Sequence, residues 1–287
     1  MANKSLLSIQ AAADALMRQE GNSTGVPGLQ DDQVIIWAND LHKAFFDEFS
    51  DAGKNGPEYM KREYGVNSRT YTTLSDDVLS GATTFDVEDG DGLATSGAGV
   101  IYRNQQFDIF TFSGNSSDTI TGVDGVEFDH DDGEIVQSLY DLPANFGRFR
   151  IEKDRGEGVR VNGLGYKKVP DLPSTRQFAS WQDPTTSSWY LWLPHFTGDS
   201  SDVLVTYDKK PTELTAMSDL IDIPEQYRDW MYIVWGLVGI FKQVLDEDYV
   251  ANRERAEQLK IVNSAFKRNS AGKRITAGNT YFKRFGI

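Results

Sequence analysis

Apolar residues recur at helical spacing between Tyr227 and Leu245, and this stretch carries the clearest structural signal in the chain. Asp222-Ile223-Pro224-Glu225 precedes it and suits a helix start, because proline at the first helical position loses no hydrogen bond. The stripe is wide, so the pattern predicts a helix that is buried on most of its circumference. Gly236 and Gly239 each cost about 1 kcal/mol relative to alanine in a helix, which predicts a neighbouring segment close to that face.

The uncharged run inside this helix covers Trp230 to Phe241 and is too short for a membrane span, which needs about 20 apolar residues. It therefore predicts a core helix of a soluble protein. A second helix is predicted from Tyr249 to Arg268, where charged residues alternate around an apolar line of Val250, Leu259, Val262 and Phe266. Together the two helices are expected to form a helical hairpin.

Two more helices are predicted near the N-terminus. Ser5 or Ser8 can cap the first, which extends to about Gln19. The second starts at Asp31 and Asp32 and continues through an apolar stripe every three or four residues, namely Val34, Ala38, Leu41, Phe45 and Phe49.

From Thr70 onwards, β-branched and aromatic residues alternate with polar ones between glycine-rich and aspartate-rich turns, a pattern typical of short strands. Strands are predicted at 83–87, 99–102, 107–112, 119–123, 148–151, 158–161, 189–193 and 202–207. The glycine groups Gly156-Glu157-Gly158 and Asn162-Gly163-Leu164-Gly165 read as hairpin turns, since neither has the spacing of a dinucleotide-binding loop.

These elements predict an α+β fold, in which N- and C-terminal helices build a helical bundle and an antiparallel β domain is inserted between them. The expected divisions are N-terminal helices in 1–68, a small inserted β module in 69–128, a β-sheet region in 129–212, a C-terminal helical hairpin in 213–268 and a basic extended tail in 269–287.

Charge is distributed unevenly along the 287 residues. The net charge of −14 argues against a general nucleic-acid-binding surface, because phosphate affinity comes mainly from Lys and Arg. Residues 267–287 nevertheless hold six basic residues and no acidic one, so residues 1–266 carry −20. A basic tail thus follows an acidic body.

Candidate chemistry is sparse. The chain has no cysteine, which excludes disulfides and thiolate chemistry, and its three histidines, His42, His130 and His195, are in no ligand spacing. A surface or capping role is the prediction for each histidine. No nucleophile–base pair and no Walker A loop emerges, so we expect no enzyme, no cofactor and no metal requirement.

Two groups of residues admit a second interpretation. The acidic loop Asp129-His130-Asp131-Asp132-Gly133-Glu134 does not fit the EF-hand pattern, so a solvated turn is the preferred interpretation and calcium chelation is the alternative. The aromatic residues Trp181, Trp189, Tyr190 and Trp192 could line a sugar-binding surface. Core or interface packing on a strand that is covered on both sides is the preferred interpretation of these aromatics.

Several motifs in succession resemble the head-to-tail adaptor proteins of tailed bacteriophages, the connector, head-completion or tail tubular protein A-like family. They begin with the helix Asp31–Phe49 and continue with Ser80-Gly81-Ala82-Thr83-Thr84-Phe85-Asp86-Val87. Leu139-Tyr140-Asp141-Leu142-Pro143-Ala144-Asn145-Phe146 follows, and the series ends with Val203–Thr212, Ile223–Tyr227 and the two helices after it. The resemblance covers residues 28 to 268 and leaves the basic tail unmatched.

This resemblance implies a structural virion protein at the neck, assembled in the host cytoplasm. About twelve copies would form a homo-oligomeric ring beneath the portal protein, join capsid to tail-side proteins and let double-stranded DNA pass through the lumen without specific binding. It implies no membrane partner. The alternative is another tail or neck component, or a carbohydrate-binding tail module.

The basic tail is interpreted as a docking arm for the portal or a neighbouring subunit. Its charges can be drawn to an acidic partner, and its aromatic side chains can then fill pockets. The residues expected to bind are Lys273, Arg274, Tyr281, Phe282, Lys283, Arg284 and Phe285. DNA contact and a solvated tail without function are the alternatives.

Overall fold

The structure, a computed structural model, describes residues 3–19, 29–66, 71–103, 106–151, 157–170, 172–193 and 203–274. For Val66 and residues 270–274 it gives the backbone conformation alone. The chain divides into two compact units. The terminal unit combines Met1–Lys61 with Asp208–Ile287, and the central unit is Arg62–Tyr207.

The predicted α+β fold class is wrong. The described residues are mostly β, with eighteen strands in five sheets and four α-helices, and the helices do not form a terminal bundle around an inserted domain. The core that the helices share also takes in Ile221 and Ile223 from a strand and Leu214 from a loop. Helices and strands therefore build this core together.

Four α-helices lie in the terminal unit: α1 (Leu6–Gln19), α2 (Asp31–Asp51), α3 (Met231–Leu245) and α4 (Asn252–Arg274). Ser5 begins α1 as predicted, since its hydroxyl accepts the Ser8 N–H at 3.3 Å. The helix α4 ends six residues beyond the predicted Arg268. Residues 269–274 are thus helical, where an extended tail was expected.

The predicted helix start at Pro224 is wrong. Residues Leu220–Pro224 form a strand that pairs antiparallel with Asn3–Ser5, and α3 begins only at Met231 after a 3₁₀ turn at Glu225–Tyr227. Proline occupies the last position of this strand, where the chain turns into the 3₁₀ helix. Local sequence suits both roles, and the pairing partner lies more than 200 residues away.

The helix α3 packs against α1, α2 and α4, and eight of its 15 residues are buried. A Cβ added at Gly236 would lie 2.3 Å from the Leu41 Cδ2, and one at Gly239 would lie 3.1 Å from the Ala251 Cβ. The predicted close approach at both glycines is therefore confirmed. Among the described residues, no helix combines the length and the apolar character needed to cross a membrane.

The strands of the described residues, numbered in chain order, are β1 (Asn3–Ser5), β2 (Lys61–Val66), β3 (Tyr71–Thr73), β4 (Thr84–Asp86), β5 (Gly97–Arg103), β6 (Gln106–Phe112), β7 (Gly114–Ser116), β8 (Thr119–Thr121), β9 (Ile135–Ser138), β10 (Tyr140–Asp141), β11 (Phe146–Phe149), β12 (Val159–Val161), β13 (Leu164–Gly165), β14 (Lys167–Lys168), β15 (Gln177–Gln182), β16 (Trp189–Trp192), β17 (Val203–Lys209) and β18 (Leu220–Pro224). Strands occur at all eight predicted positions. Most of the others are shorter than five residues.

The central unit contains four of the sheets. Their strand orders are β3-β9-β5-β6, β4-β8-β7, β10-β16-β15-β14 and β11-β17-β12-β13, with β2 beside β17. The first two sheets enclose one apolar core, and the last two share another. The turn between β12 and β13 uses positive φ at Asn162 and Gly163, as expected for a hairpin turn.

Strand β16 is covered on both faces, as its sequence predicted. Leu191 and Leu193 belong to one core of the central unit, with Trp189 packed against it, while Tyr190 and Trp192 belong to another core. The alternation of side chains along a strand places these two sets on opposite faces. Packing, and not a stacking surface, accounts for the aromatic residues here.

Candidate functional site

A cleft of about 160 Å³ lies in the terminal unit, where the 3₁₀ turn Glu58–Met60, the residues before α3 and the last turns of α4 converge. Tyr59, Tyr227, Asp229, Arg268 and Asn269 line it. The sequence reasoning missed this group because its members come from three separate parts of the chain. Arg228 between Tyr227 and Asp229 has a left-handed backbone (φ 54°) that ends the 3₁₀ turn and precedes α3.

Asp229 is the buried centre of the cleft. Its Oδ2 accepts a hydrogen bond from the Tyr59 hydroxyl at 3.1 Å, and its Oδ1 accepts one from the Arg268 guanidinium. Burial raises the pKa of the Asp229 carboxyl, although Arg268 and Tyr59 act in the opposite direction. Burial and the neighbouring Asp229 raise the pKa of Tyr59 well above its usual value.

The same groups fix the end of α4. The Arg268 guanidinium lies 5.8 Å from the centre of the Tyr227 ring, and the Asn269 side chain donates a hydrogen bond to the Gly56 carbonyl at 3.2 Å. Both Asp229 carboxylate oxygens accept hydrogen bonds from side chains. The cleft therefore acts as a clamp that holds α4 at Arg268 and Asn269, shortly before the helix ends at Arg274.

Arg268→Ala should lower the free energy of unfolding by about 1–2 kcal/mol. Removing one partner of a buried ion pair typically costs about 3–5 kcal/mol, and the cost is smaller here because the Arg268 side chain is 39% exposed. Lys260→Ala on the same helix is the control, since Lys260 is 69% exposed and pairs with Glu257 at the surface. Urea unfolding of the two variants measures the difference. Equal losses would show that Asp229 does not depend on Arg268.

A second polar cluster joins α3 to α4. Glu254 is buried on α4 and accepts hydrogen bonds from the Lys242 ammonium at 2.7 Å and from the Tyr249 hydroxyl at 2.9 Å. One turn later, the buried Gln258 side chain donates to the Tyr232 carbonyl at 3.1 Å. Polar contacts thus hold the first half of α4 against α3.

Beyond this cluster, the connection between the two helices presents a mixed apolar and acidic surface. Val244 and Leu245 on the last turn of α3, and Val250 after it, are among the exposed large apolar residues. Asp246, Glu247 and Asp248 lie between them and are exposed as well. We call residues 244–248 and 250 the hairpin-tip surface.

The predicted docking residues lie beyond the clamp. Lys273 and Arg274 are the last two residues of α4, and only their backbone is described. Tyr281, Phe282, Lys283, Arg284 and Phe285 lie outside the described residues. The assignment of these seven residues as a docking site stays a prediction.

The expected surface or capping roles of the histidines are wrong for the two that the structure describes. His42 is 1% exposed on the buried stripe of α2, and neither ring nitrogen has a hydrogen-bond partner. The sequence contained a signal for this, because His42 is four residues after Ala38 and three before Phe45. Burial lowers the pKa of His42 to about 4, with Asp222 raising it and Lys209 lowering it. His195 lies outside the described residues.

His130 is buried in the acidic loop of the central unit. Its Nδ1 lies 2.7 Å from the Glu134 Oε2, and its Nε2 lies 3.0 Å from the Asp108 Oδ2. Asp129 accepts the Ser80 N–H at 2.8 Å, and Asp77 accepts the Asp132 N–H at 2.9 Å. Hydrogen bonds therefore hold the loop mainly to other segments of the central unit. The described residues contain no group of three or more His, Asp or Glu arranged to hold a metal ion.

No protein-family model, no curated protein and no solved structure matches this chain.

Proposed function

We propose that this chain is a structural virion protein, a head-to-tail adaptor that forms a ring of about twelve copies beneath the portal. The succession of motifs between residues 28 and 268 supports this proposal. Among the structural observations, the hairpin-tip surface supports the adaptor function most directly, because Val244, Leu245 and Val250 are each at least 47% exposed. Val244 and Leu245 are adjacent on the last turn of α3, and neighbouring exposed aliphatic side chains are typical of surfaces that another subunit covers.

The charge of the chain also suits a DNA conduit. Residues 1–266 carry −20, so a lumen lined by this body would repel the phosphates of passing DNA. A surface of this kind lets the DNA slide through the lumen and does not bind it tightly. In the virion the ring joins the capsid to the tail-side proteins.

The carbohydrate-binding alternative is not favoured. It rested on the aromatic residues of β16 and β15, and Tyr190 and Trp192 are buried in a core. Their rings are engaged by other side chains of the central unit, for example Trp192 by Tyr102 at 5.4 Å between ring centres. A stacked sugar has no access to those rings.

The test is to image the virion neck and to measure the mass of the purified chain with and without the portal protein. We expect rings of about twelve copies once portal is present, and density for this chain directly beneath the portal. Density at the distal end of the tail, or a chain that stays monomeric with portal at saturating concentration, would refute the adaptor function.

A further inference from the structure

We propose that the hairpin-tip surface of one copy binds the C-terminal segment 273–287 of a second copy. This inference rests on the proposed function in one respect, since that function brings several copies of the chain together. The inference identifies the acidic turn between α3 and α4 as a binding surface. It also names a neighbouring copy, and not the portal, as the partner of the basic segment.

The two surfaces are complementary in charge and in apolar character. Asp246, Glu247 and Asp248 supply three carboxylates, and within the described part of the chain none of them forms an ion pair. The C-terminal segment has no acidic residue and carries Lys273, Arg274, Lys283 and Arg284. Opposite charges of this kind guide two surfaces together and set their orientation.

Apolar contact supplies the second part of the recognition. Val244, Leu245 and Val250 flank the three carboxylates in sequence and are exposed to solvent in the single chain. The C-terminal segment carries Tyr281, Phe282 and Phe285 beside its basic residues. Aromatic side chains flanked by lysine and arginine are well suited to an aliphatic surface with an acidic rim.

The geometry of α4 separates the segment from the hairpin tip of its own chain. The tip precedes Asn252, whereas the segment follows Arg274, so the 23 residues of α4 lie between them. At about 1.5 Å per residue this helix is about 34 Å long. Tyr281 and Phe282 follow Arg274 by seven and eight residues, and an extended chain of that length reaches about 23–29 Å. Tyr281 and Phe282 therefore fall short of the tip of their own chain, so a second copy must provide the tip that these two residues contact. Phe285, eleven residues beyond Arg274, spans about 36–40 Å and is not restricted in this way.

The clamp at Asp229 strengthens this argument. Because Arg268 and Asn269 are held against Asp229 and Gly56, the end of α4 cannot swing back toward the tip without breaking these contacts. The chain beyond Arg274 thus starts from a fixed point at the far end of the hairpin.

The absence of cysteine makes the test direct. Val250→Cys and Phe282→Cys are made in separate full-length chains, mixed in equal amounts and mildly oxidised. Leu79→Cys mixed with Phe282→Cys is the matched control, because Leu79 in the central unit and Val250 are both 67% exposed. Peptide mass spectrometry then quantifies the 250–282 and 79–282 disulfides.

We expect the 250–282 disulfide to form at least tenfold faster than the 79–282 disulfide. Glu247→Lys in the Val250→Cys chain should lower that rate severalfold. Raising the salt to 1 M should do the same, since charges are then screened within about 3 Å. Equal rates at positions 250 and 79, or a rate that Glu247→Lys leaves unchanged, would overturn the proposal.

One further variant tests the choice of a second copy. A chain that carries both Val250→Cys and Phe282→Cys should form disulfides between chains, and their yield should fall on dilution. A monomeric product with an internal 250–282 bond at high dilution would overturn the assignment. Rings seen without the cross-link would refute this inference alone, whereas the cross-link without any ring would refute the adaptor function alone.

Discussion

Val238→Asp should prevent the terminal unit from folding. Val238 is fully buried on α3, and the new carboxylate would lie among apolar side chains without a partner. Burying an unpaired charge costs more than about 4 kcal/mol, a large part of the stability of an ordinary domain. We expect the variant to be insoluble or to lose its cooperative unfolding transition, as measured by circular dichroism in urea.

Val244→Asp is the matched control for this prediction. It makes the same change two turns later on the same helix, where the side chain is about half exposed. Its effect on the free energy of unfolding should stay within about 0.5 kcal/mol, as for most surface substitutions. A soluble Val238→Asp chain with normal unfolding would show that this face of α3 tolerates water.

Acidification from pH 7.5 to pH 5 should destabilise the chain by about 2 kcal/mol through His42 alone. The folded chain holds the pKa of His42 at about 4, whereas an unfolded histidine titrates near 6.5. Between these values the unfolded state binds more protons, so stability rises with pH and is lost as the pH falls. Below pH 4 the full loss reaches about 3 kcal/mol, because each pKa unit corresponds to about 1.36 kcal/mol.

His42→Leu separates this effect from the titration of other groups. Leucine fills a similar volume on the buried face of α2 and carries no proton. The variant should lack the 2 kcal/mol of acid destabilisation. It should also be more stable at pH 7.5, since the two unpaired ring nitrogens of His42 are removed. If urea midpoints of the two proteins fall in parallel between pH 7.5 and pH 5, His42 is not the group responsible.

Long periodic segments were predictable from the sequence, whereas the two-residue strands were not. The stripe of α2, from Val34 to Phe49, and the buried run of α3 determine their helices through local spacing. Strands such as β10 and β14 contain two residues each, and so few residues carry no measurable alternation. The error in fold class follows from strands of this kind, since they are defined by pairing and not by their own residues, as β10 is by the pairing of Tyr140 with Leu191 in β16.

The side-chain clusters were also difficult to predict from the sequence, because their members are far apart along the chain. Asp229 and Arg268 are 39 residues apart and Tyr59 and Asp229 are 170 apart, so no spacing rule could join them. His42 is different, because its place on the apolar stripe of α2 indicated burial. The acidic turn after α3 was visible as a break in the apolar pattern. Its exposed aliphatic neighbours became recognisable as a surface only once the bounds of α3 and α4 were known.

The division of the terminal unit between both ends of the chain has a consequence for its synthesis. The helices α1 and α2 are complete at Asp51, but their packing partner α3 is complete only at Leu245. At 5–20 residues per second, a ribosome needs roughly 10–40 s to make the residues between them. During that interval the apolar faces of α1 and α2 emerge without a core to enter, while the central unit can already fold. The nascent chain therefore exposes the apolar faces of α1 and α2 to solvent until α3 has been made.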